Sequence, residues 1–91
     1  MKNQVCIRLA TVEDAQAILS LIQELSIFER EPEAVVLTKE DLVRDGFGEQ
    51  PAFVCFVAEG NKQIMGMALG YPRYSTWKGK TMHLEDLIVK E

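Results

Sequence analysis

Phe53-Val54-Cys55-Phe56-Val57-Ala58 is a nearly continuous apolar run, and Gly60-Asn61 leads from it into a second, Ile64-Met65-Gly66-Met67-Ala68-Leu69-Gly70-Tyr71. Two β-rich runs divided by turn residues form a hairpin, so the second half of this chain must be sheet. An unbroken apolar strand has no side that prefers water, and the first run therefore predicts a strand covered on both faces. The glycines inside the second run predict bulging or a close backbone approach. A third run, Thr81 to Val89, completes an antiparallel three-strand meander. Between the last two lies Pro72-Arg73-Tyr74-Ser75-Thr76-Trp77-Lys78-Gly79-Lys80, which reads as a long connector of the kind that carries function.

Upstream, Val5-Cys6-Ile7-Arg8-Leu9 is short and β-rich and predicts a first strand. Thr11-Val12-Glu13-Asp14 then places a hydroxyl at an N-cap and acids in the first turn, where free amides and the positive dipole end favour both. Ala15, Ile18, Ile22 and Leu25, with Leu21 and Phe28 beside them, recur at three- and four-residue spacing, the stripe of a helix packed on a core. Pro32, in Glu29-Arg30-Glu31-Pro32-Glu33, restricts the residue before it, which ends the helix in a charged loop. Thr38-Lys39-Glu40-Asp41 repeats the capping pattern and opens a short helix through Leu42 and Val43. That helix stops at Gly46-Phe47-Gly48, with Phe47 expected in the core at its end. The order is strand, helix, short helix, three-strand meander: an α+β chain (α/β in some schemes), one domain over residues 1–91. Such a chain buries only about 60 to 65% of the surface it exposes unfolded, so modest stability is expected.

With 47% apolar and 26% charged residues, neither disorder nor a fibrous repeat is indicated. A net charge of −4 argues against a nucleic-acid partner and suits cationic small molecules or basic side chains. Cys6 and Cys55 lie in apolar runs, where a free thiol behaves as a small hydrophobe, and two cysteines without a secretory signal read as reduced. No stretch approaches the roughly 18 apolar residues of a membrane span, and Met1 to Val5 lacks an apolar signal region. No membrane partner and a cytoplasmic location are expected. His83 alternates with Met82 and Leu84 and is expected to pack beside the sheet; no metal-ligand set is present in the sequence.

Leu84-Glu85-Asp86-Leu87-Ile88-Val89 sets two carboxylates inside an apolar strand, although aspartate is depleted in strands and acids are seldom buried unpaired. Successive side chains point to opposite faces, so Glu85 and Asp86 cannot both meet bulk water if one face is covered. Either the strand is an edge with solvated acids, or one acid lines a cleft. Trp77 either walls such a cleft by cation–π contact, worth about 0.5 to 2 kcal/mol, or caps the core.

Ile7-Arg8-Leu9-Ala10-Thr11, Leu37-Thr38 with Asp41-Leu42, Asp45-Gly46-Phe47-Gly48-Glu49 and Leu84-Glu85-Asp86 together resemble the diamine (spermidine/spermine or thialysine) acetyltransferase subfamily of the GNAT N-acetyltransferases. The resemblance covers essentially the whole chain. It implies transfer of an acetyl group from acetyl-CoA, as co-substrate, to a primary amine of a diamine, polyamine or lysine-like amino acid. It further implies a homodimer with its active site near the subunit interface. An amine with a pKa near 10.4 must be captured as a cation and then deprotonated before it attacks a thioester, which suits carboxylates. The catalytic candidates are Glu85 and Asp86, with substrate binding by these two, Trp77, and Glu29, which matches a position that reads the distal amine. Glu29 also belongs to the charge run Glu29, Glu31, Glu33, whose plainer reading is a solvated face. Leu87, Ile88 and Val89 would pair their backbone with the pantetheine arm like an added strand.

In the family, a glycine-rich pyrophosphate loop and a tyrosine that protonates the leaving thiolate follow. Neither appears after Val89, and Tyr71 and Tyr74 do not match that tyrosine. These 91 residues are therefore expected to correspond to the N-terminal half of the domain and to be inactive alone. The rival reading is a noncatalytic module that binds amines or pairs with a partner strand.

Overall fold

The structure is a computed structural model and describes residues 4–90. Its elements are β1 (Val5–Leu9), a single 3-10 turn (Val12–Asp14), α1 (Ala15–Phe28), α2 (Lys39–Gly46), β2 (Val54–Gly60), β3 (Gln63–Ser75) and β4 (Gly79–Val89). The strands form one antiparallel sheet in the order β1-β2-β3-β4, which gives the α+β arrangement expected.

Local chemistry explains where the elements begin. The Thr11 amide donates to Asp14 Oδ2 at 2.7 Å and closes the turn that leads into α1. Arg8 donates through Nη1 and Nη2 to the two Asp14 oxygens at 2.8 and 3.1 Å and through Nε to Glu59 Oε1 at 2.9 Å. One guanidinium thus ties β1 to its neighbour β2 and to the start of α1. It also holds the Asp14 carboxyl below the usual aspartate range. The α2 start follows the capping box: the Asp41 amide donates to Thr38 Oγ1 at 3.1 Å, and the Thr38 amide donates to Asp41 Oδ2 at 3.0 Å.

Both helices pack on one face of the sheet. Ile18, Leu19 and Leu21 from α1 and Leu42 from α2 meet Cys55, Val57, Met67, Leu69 and Ile88. The β2 run is consequently not covered on both faces among the described residues: Val57 is 1% exposed, whereas its neighbour Phe56 is 44% exposed. The periodicity of β2 could not reveal this, because both its faces are apolar.

Three further expectations change. The connector after Tyr71 is mostly strand, since β3 runs to Ser75 and β4 starts at Gly79, leaving Thr76-Trp77-Lys78 as the turn. Ser75 Oγ accepts from the amides of Trp77 and Lys78, both at 3.1 Å, and sets that turn. Phe28 lies beyond the core stripe of α1 and is 82% exposed. Phe47 is half-buried, packing edge-on to Phe53 at a centroid distance of 6.2 Å. Gly46 is required there, because a Cβ would collide with the Phe53 ring.

The two thiols also part ways. Cys55 is buried, with burial pushing its thiol up to about 11, while Cys6 is exposed on the edge strand rather than packed. His83 packs as expected, half-buried, with its ring 5.0 Å from that of Tyr71.

Candidate active site

The acid pair sits at an irregularity in the sheet. Leu69 pairs with Asp86, but the next residue, Gly70, pairs with Leu84, so Glu85 is the extra residue of a β-bulge. A Cβ on Gly70 would fall 2.8 Å from the His83 carbonyl, so glycine permits the strands to approach at this point. The bulge shifts the phase of alternation. Leu84 and Leu87 both fall on the uncovered face, Glu85 is exposed at the bulge, and Asp86 turns toward the helices in one row with Leu69 and Cys55. A regular strand would have placed Leu84 on the covered face beside Asp86.

Asp86 is half-buried, and its carboxyl is pushed above the usual range, first by desolvation and then by the charges of Glu85 and Glu29. Two of the acids singled out from the sequence, Glu85 and Glu29, thus act on a third, Asp86. Glu29 reaches this position because α1 ends immediately before it: its amide donates to the Leu25 carbonyl at 2.9 Å, and Arg30 adopts left-handed backbone (φ 63) that turns the chain away.

Trp77 is elsewhere. It is 94% exposed in the hairpin turn, and the β4 residues from Gly79 to Glu85 separate that turn from Asp86, roughly 20 to 25 Å at the strand rise. The structure does not bring Trp77 to the acids of its own chain.

Among the described residues, β4 is the last strand in the sheet order, so one side of Leu87, Ile88 and Val89 faces no strand. Against it lies a cleft of about 600 Å³ lined by Glu24, Leu25 and Phe28 from α1 and by Leu87, Ile88, Val89 and Lys90 from β4 and its end. An extended ligand arm could hydrogen-bond along this free edge, so the donor set fits the pantetheine contact. Phe28 and the bulge at Glu85 were the features that sequence reasoning missed. Phe28 continues the apolar spacing of α1 and looks like core until the sheet edge is placed. Among the described residues, no group of three or more His, Cys, Asp or Glu side chains is arranged to hold a metal.

No family model matches the chain. Among curated proteins, it is 44% identical over 94 residues to thialysine N-epsilon-acetyltransferase of Bos taurus, covering 94% of this chain and 55% of that protein. It is 42% identical over 92 residues to spermidine/spermine N(1)-acetyltransferase-like protein 1 of Homo sapiens, covering 93% of this chain and 13% of that protein. Among solved structures, an aminoglycoside acetyltransferase from an uncultured soil metagenomic sample, in complex with sisomicin, superposes with a TM-score of 0.69 at 20% identity. That match covers 94% of this chain and 56% of the other. A possible acetyltransferase of Clostridium difficile gives a TM-score of 0.68 at 16% identity, covering 96% and 58%.

The chain therefore shares its fold with solved acetyltransferases. Within that class the sequence resembles the spermidine/spermine and thialysine N-acetyltransferases, and the chain spans about half the length of the thialysine relatives it matches.

Proposed function

We propose that this chain provides the amine-capturing acids and the strand edge for acetyl-CoA in an N-acetyltransferase acting on a diamine, polyamine or lysine-like primary amine, with a homodimer as the working assembly. The observation that carries the reading is Asp86, held half-buried in the field of Glu85 and Glu29. A protonated alkyl amine entering this field is attracted by the negative charge of these carboxylates. A carboxylate whose pKa is raised is also a stronger base than an ordinary aspartate, so Asp86, directly or through one water, accepts the proton the amine must lose. Glu29, at the end of α1, holds the second cationic group of a diamine. Acetyl-CoA would bring the reactive thioester, with its pantetheine arm along Leu87, Ile88 and Val89.

Acetyl transfer to a panel of diamines, spermidine and thialysine, followed by thiol release, tests this. In a version that also carries the pyrophosphate-loop half, Asp86→Asn and Glu85→Gln are expected to raise the amine KM or lower kcat with the KM for acetyl-CoA nearly unchanged. Unchanged kinetics in both variants would remove the acids from the reaction. The free β4 edge and the apolar outer face support a second reading, a noncatalytic strand-pairing module. Amine-independent binding of a partner strand without any transfer would favour it.

A further inference from the structure

β1 is the opposite edge of the sheet from β4, and among the described residues it too faces no strand on one side. The Ala10 amide donates to the Cys55 carbonyl at 2.8 Å, which fixes the phase of the ladder. By that phase Arg8 bonds to Val57 and Cys6 to Glu59, and the backbone groups of Val5, Ile7 and Leu9 point away from β2. Sheets normally blunt such an edge with charge, proline or a bulge. β4 does so, with Lys80, Glu85, Asp86 and the bulge at Glu85. β1 does not. Its one charged residue, Arg8, is held by Asp14 and Glu59, while Val5, Ile7 and Leu9 are 59, 67 and 57% exposed. Cys6 lies on the helix-bearing face and is exposed, so neither helix overhangs the strand there.

We propose that β1 is an interaction surface for a second copy of this chain, the two β1 strands pairing antiparallel about Ile7 and joining two four-stranded sheets into one. In that register Ile7 meets Ile7 of the second copy and Val5 meets Leu9, so outward amides face outward carbonyls and apolar side chains share the outer face. Arg8 falls opposite Cys6, so no like charges meet. The edge is therefore complementary to itself. This inference is independent of the amine-acetyltransferase reading, because pairing at β1 leaves Asp86 and the β4 edge at the other side of the sheet untouched. Five residue pairs make a small contact, so the association is weak and rises with concentration.

The test is sedimentation equilibrium of wild type, Ile7→Pro, Ile7→Ala and Leu84→Lys. Proline at position 7 removes an amide that points away from β2, so the ladder within the chain is kept while each copy loses a bond across the edge. Dimerisation is expected to weaken at least about 10-fold in I7P and less in I7A. It should persist in L84K, which charges the outer face but not the β1 edge. Oxidative crosslinking reads the register directly. Cys6→Ser with Ile7→Cys is expected to give a disulfide dimer, since paired residues there lie about 5.5 Å apart at Cα. Cys6→Ser with Leu9→Cys should not, because position 9 lies opposite Val5. A wild-type monomer at every concentration, I7P dimers as tight as wild type, loss of the dimer in L84K, or equal crosslinking at positions 7 and 9 would each overturn the inference. Should proline unfold the chain, the two cysteine variants decide alone.

Discussion

The two faces of the sheet are both apolar, yet only one is covered. On the inner face, Cys55, Val57, Met67, Leu69 and Ile88 are sealed by α1 and α2. On the outer face, Ile7, Leu9, Phe56, Leu84, Leu87 and Val89 lie open, with Val89 75% exposed. The accessible surface is 7170 Å², against about 5,400 Å² for a compact monomer of this mass. Several exposed large apolar side chains side by side on one sheet face form a patch rather than scattered surface apolarity. Side-chain alternation thus tells which residues share a face, but not which face will be covered.

The largest contrast between the faces should appear in stability. Ile18→Ala removes a fully buried side chain between α1 and the sheet and is expected to cost about 2 to 5 kcal/mol, enough to unfold most of a domain this small. Val89→Ala on the outer face should stay within about 0.5 kcal/mol. Urea titration monitored by circular dichroism compares them, and equal losses would show that the outer face is packed in solution.

Next in size is association. The 91 residues alone are expected to self-associate as concentration rises, through the outer face or the free β4 edge. Sedimentation equilibrium should show this, and Leu84→Lys with Ile7→Lys should shift the chain toward monomer if the face is responsible. A wild-type monomer at all concentrations would mean that neither surface is available.

The smallest effects compare two carboxylates whose signs are opposite. Asp14 has its pKa lowered, chiefly by Arg8, so its contribution to stability is present above the ordinary aspartate value of about 3.9 and is lost as pH falls through the lower folded value. Asp86 has its pKa raised, so the fold is favoured with Asp86 protonated and loses stability as pH rises from that ordinary value through the higher folded one. At pH 7, Asp14→Asn should lower the melting temperature and Asp86→Asn should raise it, with the Asp86 gap closing by about pH 3. A lower melting temperature in D86N at neutral pH would show that the acid is satisfied rather than strained.

Much of the fold was legible because its signals are local. The Thr38–Asp41 capping box, the apolar stripe from Ala15 to Leu25 and the turn signal at Gly60-Asn61, which the structure places one residue later at Asn61-Lys62, each specify their own segment. The hairpin through Trp77 was misjudged because polar residues with Pro72 and Gly79 look like loop until their partners across the ladder are known. At the site, the acid pair was visible as charge in an apolar run, but which acid turns inward depends on the bulge, and the bulge depends on the pairing of Gly70 with Leu84. Exposure of Phe28 depends on where the sheet ends, which the spacing of α1 does not encode.

The most direct measurement of the central claim is a carboxyl-carbon NMR titration of Asp86, with and without spermidine. Mutual repulsion with Glu29 and Glu85 and partial burial predict a free-state pKa above the ordinary aspartate value of about 3.9 and a fall when the polyamine cation binds. A value at or below 3.9 that spermidine leaves unmoved would contradict the assignment of these acids to amine capture.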